Sequence, residues 1–305
     1  MKKLRGEGPV LLVDAGNALF EAPFSTDPRS KAKAELILRT MGELKTAALA
    51  VGARDLALGP EFLAQTARKA SVPVLSCNLT RDGKLVFPAS AVVTVGGARI
   101  GLIGISPSMP NLDRFPGVRG EPPVRAALEE ASKLRGKVDL LVALAAISWA
   151  DSLQLSKEGA QLFDLIIQSS EQRGAGVMQR NERNFVLSAG ERGRGMGALE
   201  LDLSAHGPLV DLAEIERDAA RRKNLEGQVE QVKKRIATEK DPSVAKSYQQ
   251  AVTSFQDQLK QLRAANLEEK AKGARTVKLG VQYLDTSVAD DPDLKAQVEK
   301  LQPPT

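Results

Sequence analysis

The residues best placed for chemistry follow an apolar run near the start of the chain. Residues 10–17 are Val-Leu-Leu-Val-Asp-Ala-Gly-Asn, so a stretch of Val and Leu ends in Asp14 and Asn17. Such a run is typical of a strand that is buried on both faces. Ligands of open α/β sheets gather beyond the carboxyl ends of their strands. Asp14 and Asn17 are therefore expected where chemistry is done, and their oxygens could hold Mg²⁺ or Mn²⁺ weakly.

The composition restricts that chemistry. The chain of 305 residues has one histidine, His206, and one cysteine, Cys77. Zinc, iron and most two-metal hydrolase sites need several imidazoles, and thiolate clusters need several cysteines, so the sequence argues against both. A serine nucleophile would have only the distant His206 as its base. A net charge of +5 without a dense basic run argues against nucleic-acid binding.

The elements that would position these residues alternate between strand and helix over residues 1–208. This pattern, with inserted hairpins, predicts a layered α/β sandwich with mixed sheets. A helix is predicted over residues 31–51, with Ala48 and Leu49 on its apolar side. Gly96 and Gly97 lie between two strand patterns and predict a β-hairpin. The most apolar strand is predicted over residues 138–146, shortly before Trp149.

The composition changes after residue 208. Gln, Lys, Glu and Arg dominate residues 212–272, and apolar residues recur at helical spacing on both sides of Pro242. We predict an antiparallel helical hairpin, a two-helix coiled coil, over residues 209–272, then a strand and a short helix over 273–305. The predicted seam contains Leu225, Val229, Val232, Ile236, Val252, Phe255, Leu259 and Leu262. The hairpin is expected either to bind a protein partner or a second copy of the chain, or to serve as a rigid spacer.

The sequence has no stretch of the roughly 18 apolar residues that a transmembrane helix needs. Residues 1–6 are basic, but they lead straight into the first predicted strand, without the apolar region and cleavage site of a signal peptide. The expected location is cytoplasmic if Met1 is the true start. It is periplasmic or secreted if a leader and a further strand precede Met1.

Short segments in a fixed order carry a resemblance to a known family. They are residues 11–17, 51–59, 74–79, 95–105 and 164–197. Together they resemble the metallophosphoesterase domain of bacterial 5′-nucleotidases and UDP-sugar hydrolases, in the calcineurin-like superfamily. The resemblance covers about residues 1–204. It implies an α/β/β/α sandwich and hydrolysis of phosphoric esters by two divalent metals.

The same resemblance implies that most of the catalytic positions have changed. Asn17 stands where that family has a bridging Asp, and Ala53 and Arg54 replace an Asn ligand and the catalytic His. Asp55 replaces a Glu, and Ala146 replaces a metal-binding His. Ser170 and Gln172 belong to a segment that replaces Gly-Gly-His-Ser-His.

These changes lead to two hypotheses. The first is a catalytically degenerate domain, kept as a scaffold or binding module, without a metal or cofactor and with at most weak Mg²⁺ or Mn²⁺. The alternative is a residual metal-dependent hydrolase of nucleotides or other phosphoesters, with a site remade around Asp14, Asn17, Arg54 and Asp55.

Three of these residues have alternative roles. Asp14 is either a residual metal ligand or the cap of a turn. Arg54 either binds an anion in place of the metals or pairs with Glu61 or Asp55. Trp149 either fills the degenerate pocket or stacks on a substrate.

Overall fold

The structure is a computed structural model that describes residues 2–25, 27–108, 112–169, 177–181, 183–188, 193–265, 269 and 271–301. The chain forms two compact units. One comprises Met1–Ala198 and Gly280–Thr305, and the other comprises Leu199–Leu279.

The described residues contain both helices and strands. The helices are α1 (Lys2–Glu7), α2 (Pro28–Glu43), α3 (Pro60–Lys69), α4 (Pro123–Leu134), α5 (Trp149–Glu158), α6 (Leu212–Thr238), α7 (Pro242–Ala265) and α8 (Pro292–Leu301). The first strands are β1 (Leu12–Asp14), β2 (Thr46–Ala50), β3 (Val74–Leu75), β4 (Leu79–Arg81), β5 (Lys84–Leu85), β6 (Ser90–Val95), β7 (Ala98–Ile105) and β8 (Val118–Gly120). The later strands are β9 (Leu140–Ala145), β10 (Leu165–Gln168), β11 (Val177–Asn181), β12 (Asn184–Ser188), β13 (Gly195–Asp202), β14 (Leu209–Asp211) and β15 (Arg275–Tyr283). Single 3₁₀ turns span Arg54–Leu56 and Leu112–Arg114.

Two sheets form the body of the first unit. The smaller sheet is parallel, with the order β1-β2-β3. The larger sheet has the order β11-β12-β10-β9-β7-β6, with its four central strands parallel and an antiparallel hairpin at each edge. The hairpin predicted at Gly96 and Gly97 is confirmed, and both glycines have the positive φ (58° and 84°) that a tight two-residue turn requires. Further three-stranded sheets have the orders β5-β4-β8 and β13-β15-β14.

Helices cover the outer faces of the two main sheets. α2 and α3 enclose a core with β2 that contains the fully buried Leu38, Leu49 and Leu63. α4 and α5 pack on the larger sheet around Ile103 and Phe163. Because β2 and β7 are in contact, the two sheets pack on each other and the layers run helix, sheet, sheet, helix. The predicted α/β/β/α sandwich is confirmed.

The helix predicted over residues 31–51 is wrong in its second half. α2 ends at Glu43, and residues 46–50 form β2 between β1 and β3. Ala and Leu favour helix intrinsically, which explains the error. Lys45 has a φ of 54°, which no right-handed helix accepts, and pairing with both neighbours then holds β2 as a strand.

The first strand exists, but it is not buried on both faces. Leu12, Val13 and Asp14 are each partly exposed. In the described part of the chain β1 pairs with β2 alone, which makes it an edge strand.

The second unit contains two long helices that pack side by side. α6 and α7 are connected by residues 239–241, and Asp211 caps α6 by accepting the Ala213 N–H at 2.9 Å. Six of the eight predicted seam residues lie in their shared apolar cluster: Leu225, Val229, Val252, Phe255, Leu259 and Leu262. Throughout the described helices, none has the combination of length and hydropathy that a membrane crossing requires.

Candidate functional site

Asp55 is the centre of the candidate site, and the described residues that bind its carboxylate do so with backbone N–H groups only. It lies in the 3₁₀ turn after β2 and is fully buried. Its donors are the N–H groups of Asn17 (2.6 Å) and Gly52 (2.8 Å) to Oδ2, and of Ala18 (2.9 Å) and Leu19 (3.0 Å) to Oδ1. Burial raises the pKa of Asp55, and these hydrogen bonds oppose the rise. Because a carboxylate offers about four acceptor positions, the loops use the full capacity of this one.

Asn17 links the loops that follow β1 and β2. Its φ of 65° lies in the left-handed region, which Asn tolerates better than most residues. Its side-chain Oδ1 accepts the Arg54 N–H at 3.2 Å. The position that resembles a bridging metal ligand is thus occupied by an amide that caps a neighbouring turn.

Asp14 makes the turn-capping bond that was one of its two predicted roles. Its Oδ1 accepts the Gly16 N–H at 2.8 Å, and Gly16 has a φ of 97°. Burial raises the pKa of Asp14 to about 6; the charge of Asp55 adds to the rise, and the Gly16 N–H opposes it.

Ala146 is packed against the same loop. It is fully buried directly after β9, and its Cβ lies 3.2 Å from the position that a Cβ on Gly16 would occupy. Ser169, just after β10, donates its hydroxyl to the Ala15 carbonyl at 2.6 Å. Ala53 is partly exposed and directly precedes the 3₁₀ turn. Ser170 and Gln172 lie outside the described residues.

Arg54 is partly buried, and no described residue forms a hydrogen bond or ion pair with its guanidinium. The two partners considered for it are otherwise engaged. Glu61 forms an ion pair with Arg81, and Asp55 accepts backbone N–H groups. Within the described residues, neither predicted partner therefore binds the Arg54 guanidinium.

Trp149 is the first residue of α5. Its ring packs on the apolar cluster that α4 and α5 form with the larger sheet. Ser148 caps the helix by accepting the Asp151 N–H at 3.0 Å. Trp149 thus lies in the packing beneath α5.

Gln168 is a buried polar residue that the sequence analysis did not single out. It ends β10, is 1% exposed, and donates from Nε2 to the Ile147 carbonyl at 3.0 Å. Its Oε1 is buried, and no described residue donates a hydrogen bond to it. No local pattern marks such a residue, because its burial depends on packing between elements that are distant in sequence.

The metal pair that the resemblance implies does not fit the donor set of the described residues. Nowhere in the described ranges do three His, Cys, Asp or Glu side chains group as metal ligands. The Asp55 oxygens accept backbone N–H groups, and Asn17 Oδ1 accepts the Arg54 N–H. The Ala146 side chain has no atom that could bind a metal. These residues hold two loops together.

No protein-family model matches the chain, and no curated protein matches its sequence. Solved structures do match its fold. The 5′-nucleotidase precursor of Thermus thermophilus is 25% identical with a TM-score of 0.52, over 63% of this chain and 42% of that one. The sulfate thiohydrolase SoxB of Thermus thermophilus is 19% identical with a TM-score of 0.56, over 66% and 38%. The calcineurin-like phosphoesterase YfkN of Bacillus subtilis is 20% identical with a TM-score of 0.53, over 66% and 73%.

The chain contains a 5′-nucleotidase-like metallophosphoesterase fold. The match spans less than half of the 5′-nucleotidase precursor and of SoxB. The order of short motifs in residues 1–204 predicted this fold, and the solved structures confirm the prediction at the level of fold.

Asp14 gives the site a measurable pH dependence. Its folded-state pKa of about 6 lies above the ordinary value of 3.8, so its protonated form is favoured by folding. That contribution is complete below pH 3.8 and is lost as the pH rises through 6. Asp14→Asn keeps the acceptor for Gly16 and stays neutral. We therefore expect this variant to gain up to about 2 kcal/mol of unfolding free energy over the wild type between about pH 4 and pH 7, allowing for solvent screening.

Urea unfolding at a series of pH values measures this difference. Asp27→Asn is the control, because the pKa of the exposed Asp27 is lowered by the Arg29 N–H at the start of α2. The change in unfolding free energy with pH should have the opposite sign in this control: Asp27→Asn should become less stable relative to the wild type as the pH rises. A constant gap between wild type and Asp14→Asn would contradict the assignment.

Proposed function

We propose that this chain is a catalytically degenerate metallophosphoesterase-like domain that acts as a binding scaffold. Its ligand at the strand ends is an anion held by Arg54, and its helical hairpin (residues 209–272) binds a protein, either a second copy or another chain. No metal or cofactor takes part beyond weak Mg²⁺ or Mn²⁺.

The bonding of Asp55 carries this proposal. A residual metal site needs carboxylate oxygens that are free to bind the metal. Both oxygens of Asp55 accept backbone N–H groups from two loops. Arg54, which carries a positive charge, directly precedes Asp55 in the sequence. Guanidinium binds anions with fixed, paired hydrogen bonds. Arg54 thus supports anion binding where the related folds would place positive metal charge.

The hairpin part of the proposal rests on the surfaces of α6 and α7. Their apolar residues are used by the seam between them, and the rest of both helices is largely exposed. A shallow groove on this hairpin is lined by the polar side chains of Glu226, Glu230, Gln256 and Lys260 over the buried seam residues Val229 and Leu259. Such a groove does not have the mostly apolar lining of a small-molecule site, which favours a protein partner over a small ligand.

One set of measurements tests both parts. The full chain is incubated with Mn²⁺, desalted and analysed for metal, then assayed on nucleotides and on bis-p-nitrophenyl phosphate. We expect less than one metal per chain and no hydrolysis that chelation abolishes. Stoichiometric metal with chelator-sensitive hydrolysis would overturn the scaffold proposal.

The same set includes a variant in which a short Gly-Ser linker replaces residues 214–269. We expect this variant to lose the oligomeric mass or the protein partners of the full chain. Unchanged mass and partners would make the hairpin a spacer.

A residual phosphoester hydrolase is the second candidate, because Asp14 offers a carboxyl whose pKa of about 6 is near that of a general base. Its activity would rise through pH 6 and disappear in Asp14→Asn. Activity that survives this substitution would remove its basis.

Two locations are proposed, and they differ in where translation begins. A leader upstream of Met1 would place the protein in the periplasm or outside the cell, and translation from Met1 would place it in the cytoplasm. Fractionation of cells that express the gene with its upstream DNA distinguishes the two.

A further inference from the structure

Arg114 lies at a junction of three segments near the candidate site. Its Nη2 donates to the Pro23 carbonyl at 2.8 Å and to the Leu56 carbonyl at 3.2 Å. Its guanidinium lies 4.2 Å from the ring centre of Phe24 and 4.5 Å from that of Phe115. One side chain thus binds the loop before α2, the 3₁₀ turn after β2 and its own neighbour in sequence.

These contacts involve the same two segments that Asp55 connects. Residues 18–25, here called the front loop, begin with the Ala18 and Leu19 N–H groups on Asp55. The front loop ends near Pro23 and Phe24 on Arg114. Asp55 and Arg114 therefore fix the front loop at opposite ends; Asp55 lies in the 3₁₀ turn, and Arg114 donates to the Leu56 carbonyl of the same turn.

Phe115 extends the junction to the start of α3. Its ring lies 3.2 Å from the position that a Cβ on Gly59 would occupy, and Gly59 has a φ of 91°. The glycine therefore allows both the backbone turn and the close approach of the ring. Phe24, in contrast, is 52% exposed, and the Arg114 guanidinium lies over its ring.

We propose that Arg114 is a positioning residue that holds the front loop and the Arg54–Leu56 turn in one arrangement, so that Arg54 is presented to an anion in a fixed position. The last step rests on the proposed function. The positioning of the front loop rests on the contacts of Arg114 alone.

The chemistry requires an arginine. A guanidinium is planar, stacks on aromatic rings and donates several hydrogen bonds from one fork, whereas an ammonium is a point charge without a flat face. Lys at position 114 would keep the charge and lose both the stacking and the paired donation. Arg114→Lys is therefore the informative substitution, with Arg114→Ala as the stronger one.

The test measures how fast chymotrypsin cleaves the native protein after Phe24, with the cut mapped by mass spectrometry. Cleavage requires the front loop to detach, so its rate reports the open population. We expect cleavage after Phe24 to be about tenfold faster in Arg114→Ala than in the wild type. The increase in Arg114→Lys should be nearly as large. The melting temperature should stay within about 2 °C of the wild type, because Arg114 is an exposed residue.

Arg119→Ala is the matched control. Arg119 is an exposed arginine in β8, and no described residue forms a side-chain hydrogen bond or ion pair with it. Its cleavage rate should equal that of the wild type. Phe24→Leu removes one stacked ring at an exposed position and provides a second variant if Arg114→Ala fails to fold. Its front loop should be released, as measured by faster thermolysin cleavage within residues 18–25.

The second readout is the affinity for inorganic phosphate, titrated by NMR. We expect phosphate binding that Arg54→Gln abolishes and that Arg114→Lys weakens about threefold or more without a change in melting temperature. Unchanged cleavage in Arg114→Ala and Arg114→Lys, or an equal increase in Arg119→Ala, would overturn the positioning of the front loop. Phosphate binding that is insensitive to Arg114→Lys would overturn the link to Arg54. A wild type that binds no phosphate would instead refute the anion site, and the cleavage result would still decide the role of Arg114.

Discussion

Asp55→Ala is expected to lower the free energy of unfolding by about 4 kcal/mol, because it leaves buried backbone donors without acceptors. The N–H groups of Asn17, Ala18, Leu19 and Gly52 all end on this carboxylate. Each unpaired buried donor costs about 1–3 kcal/mol, and part of that cost is recovered when the loops open to water. The front loop should therefore detach, together with Asn17, from the 3₁₀ turn that follows β2.

Asp55→Asn separates charge from geometry. An amide keeps one oxygen but directs an NH₂ group at backbone N–H donors, so we expect a loss between those of wild type and Asp55→Ala. Unfolding in urea, followed by circular dichroism and by Trp149 fluorescence, gives these free energies. Asp27→Ala is the control, because Asp27 also accepts backbone N–H groups but is exposed at the start of α2. A loss in Asp55→Ala as small as that in Asp27→Ala would contradict the central role of Asp55.

The parts of the fold that the sequence predicted have local causes. Gly96 and Gly97 specify a turn by their own backbone freedom, and the strands on each side follow from their apolar residues. The seam of α6 and α7 follows from helical spacing within each helix. The sandwich itself was predicted through the resemblance of several short motifs in order, which the solved structures support at the level of fold.

The errors have non-local causes. Residues 46–50 favour helix by composition, and only their pairing with β1 and β3 makes them a strand. The exposure of β1 depends on which strand lies beside it, which its own residues do not encode.

The site was predicted as a set of positions and not as a set of contacts. Asp14, Asn17 and Asp55 were identified, but the use of the Asp55 oxygens by backbone N–H groups depends on Asn17, Ala18 and Leu19, which lie 36 to 38 residues earlier. Arg114 was missed for the same reason, since Pro23 lies 91 residues before it. Contacts of this kind need the fold before they can be recognised.

Gly52→Ala is expected to cost about 3 kcal/mol, because the two loops of the site leave no space for a methyl group. A Cβ at this position would lie 2.4 Å from Cγ of Asn17 and 2.6 Å from its backbone nitrogen. The Asn17 side chain could rotate away, but its nitrogen is fixed by the hydrogen bond to Asp55. The methyl group would therefore push the Asn17 backbone away from Gly52 and strain its hydrogen bond to Asp55.

A double-mutant cycle with Asn17→Gly measures how much of this cost is steric. Glycine suits the φ of 65° at Asn17 and removes Cγ and Oδ1, so the loss in the double variant should be smaller than the sum of the two single losses. Gly8→Ala, which meets no atom within 4 Å, is the control and should change stability by less than about 0.5 kcal/mol. If Gly52→Ala were as stable as wild type, the loops would have room to separate, and close packing of Gly52 on Asn17 would not be what holds them together.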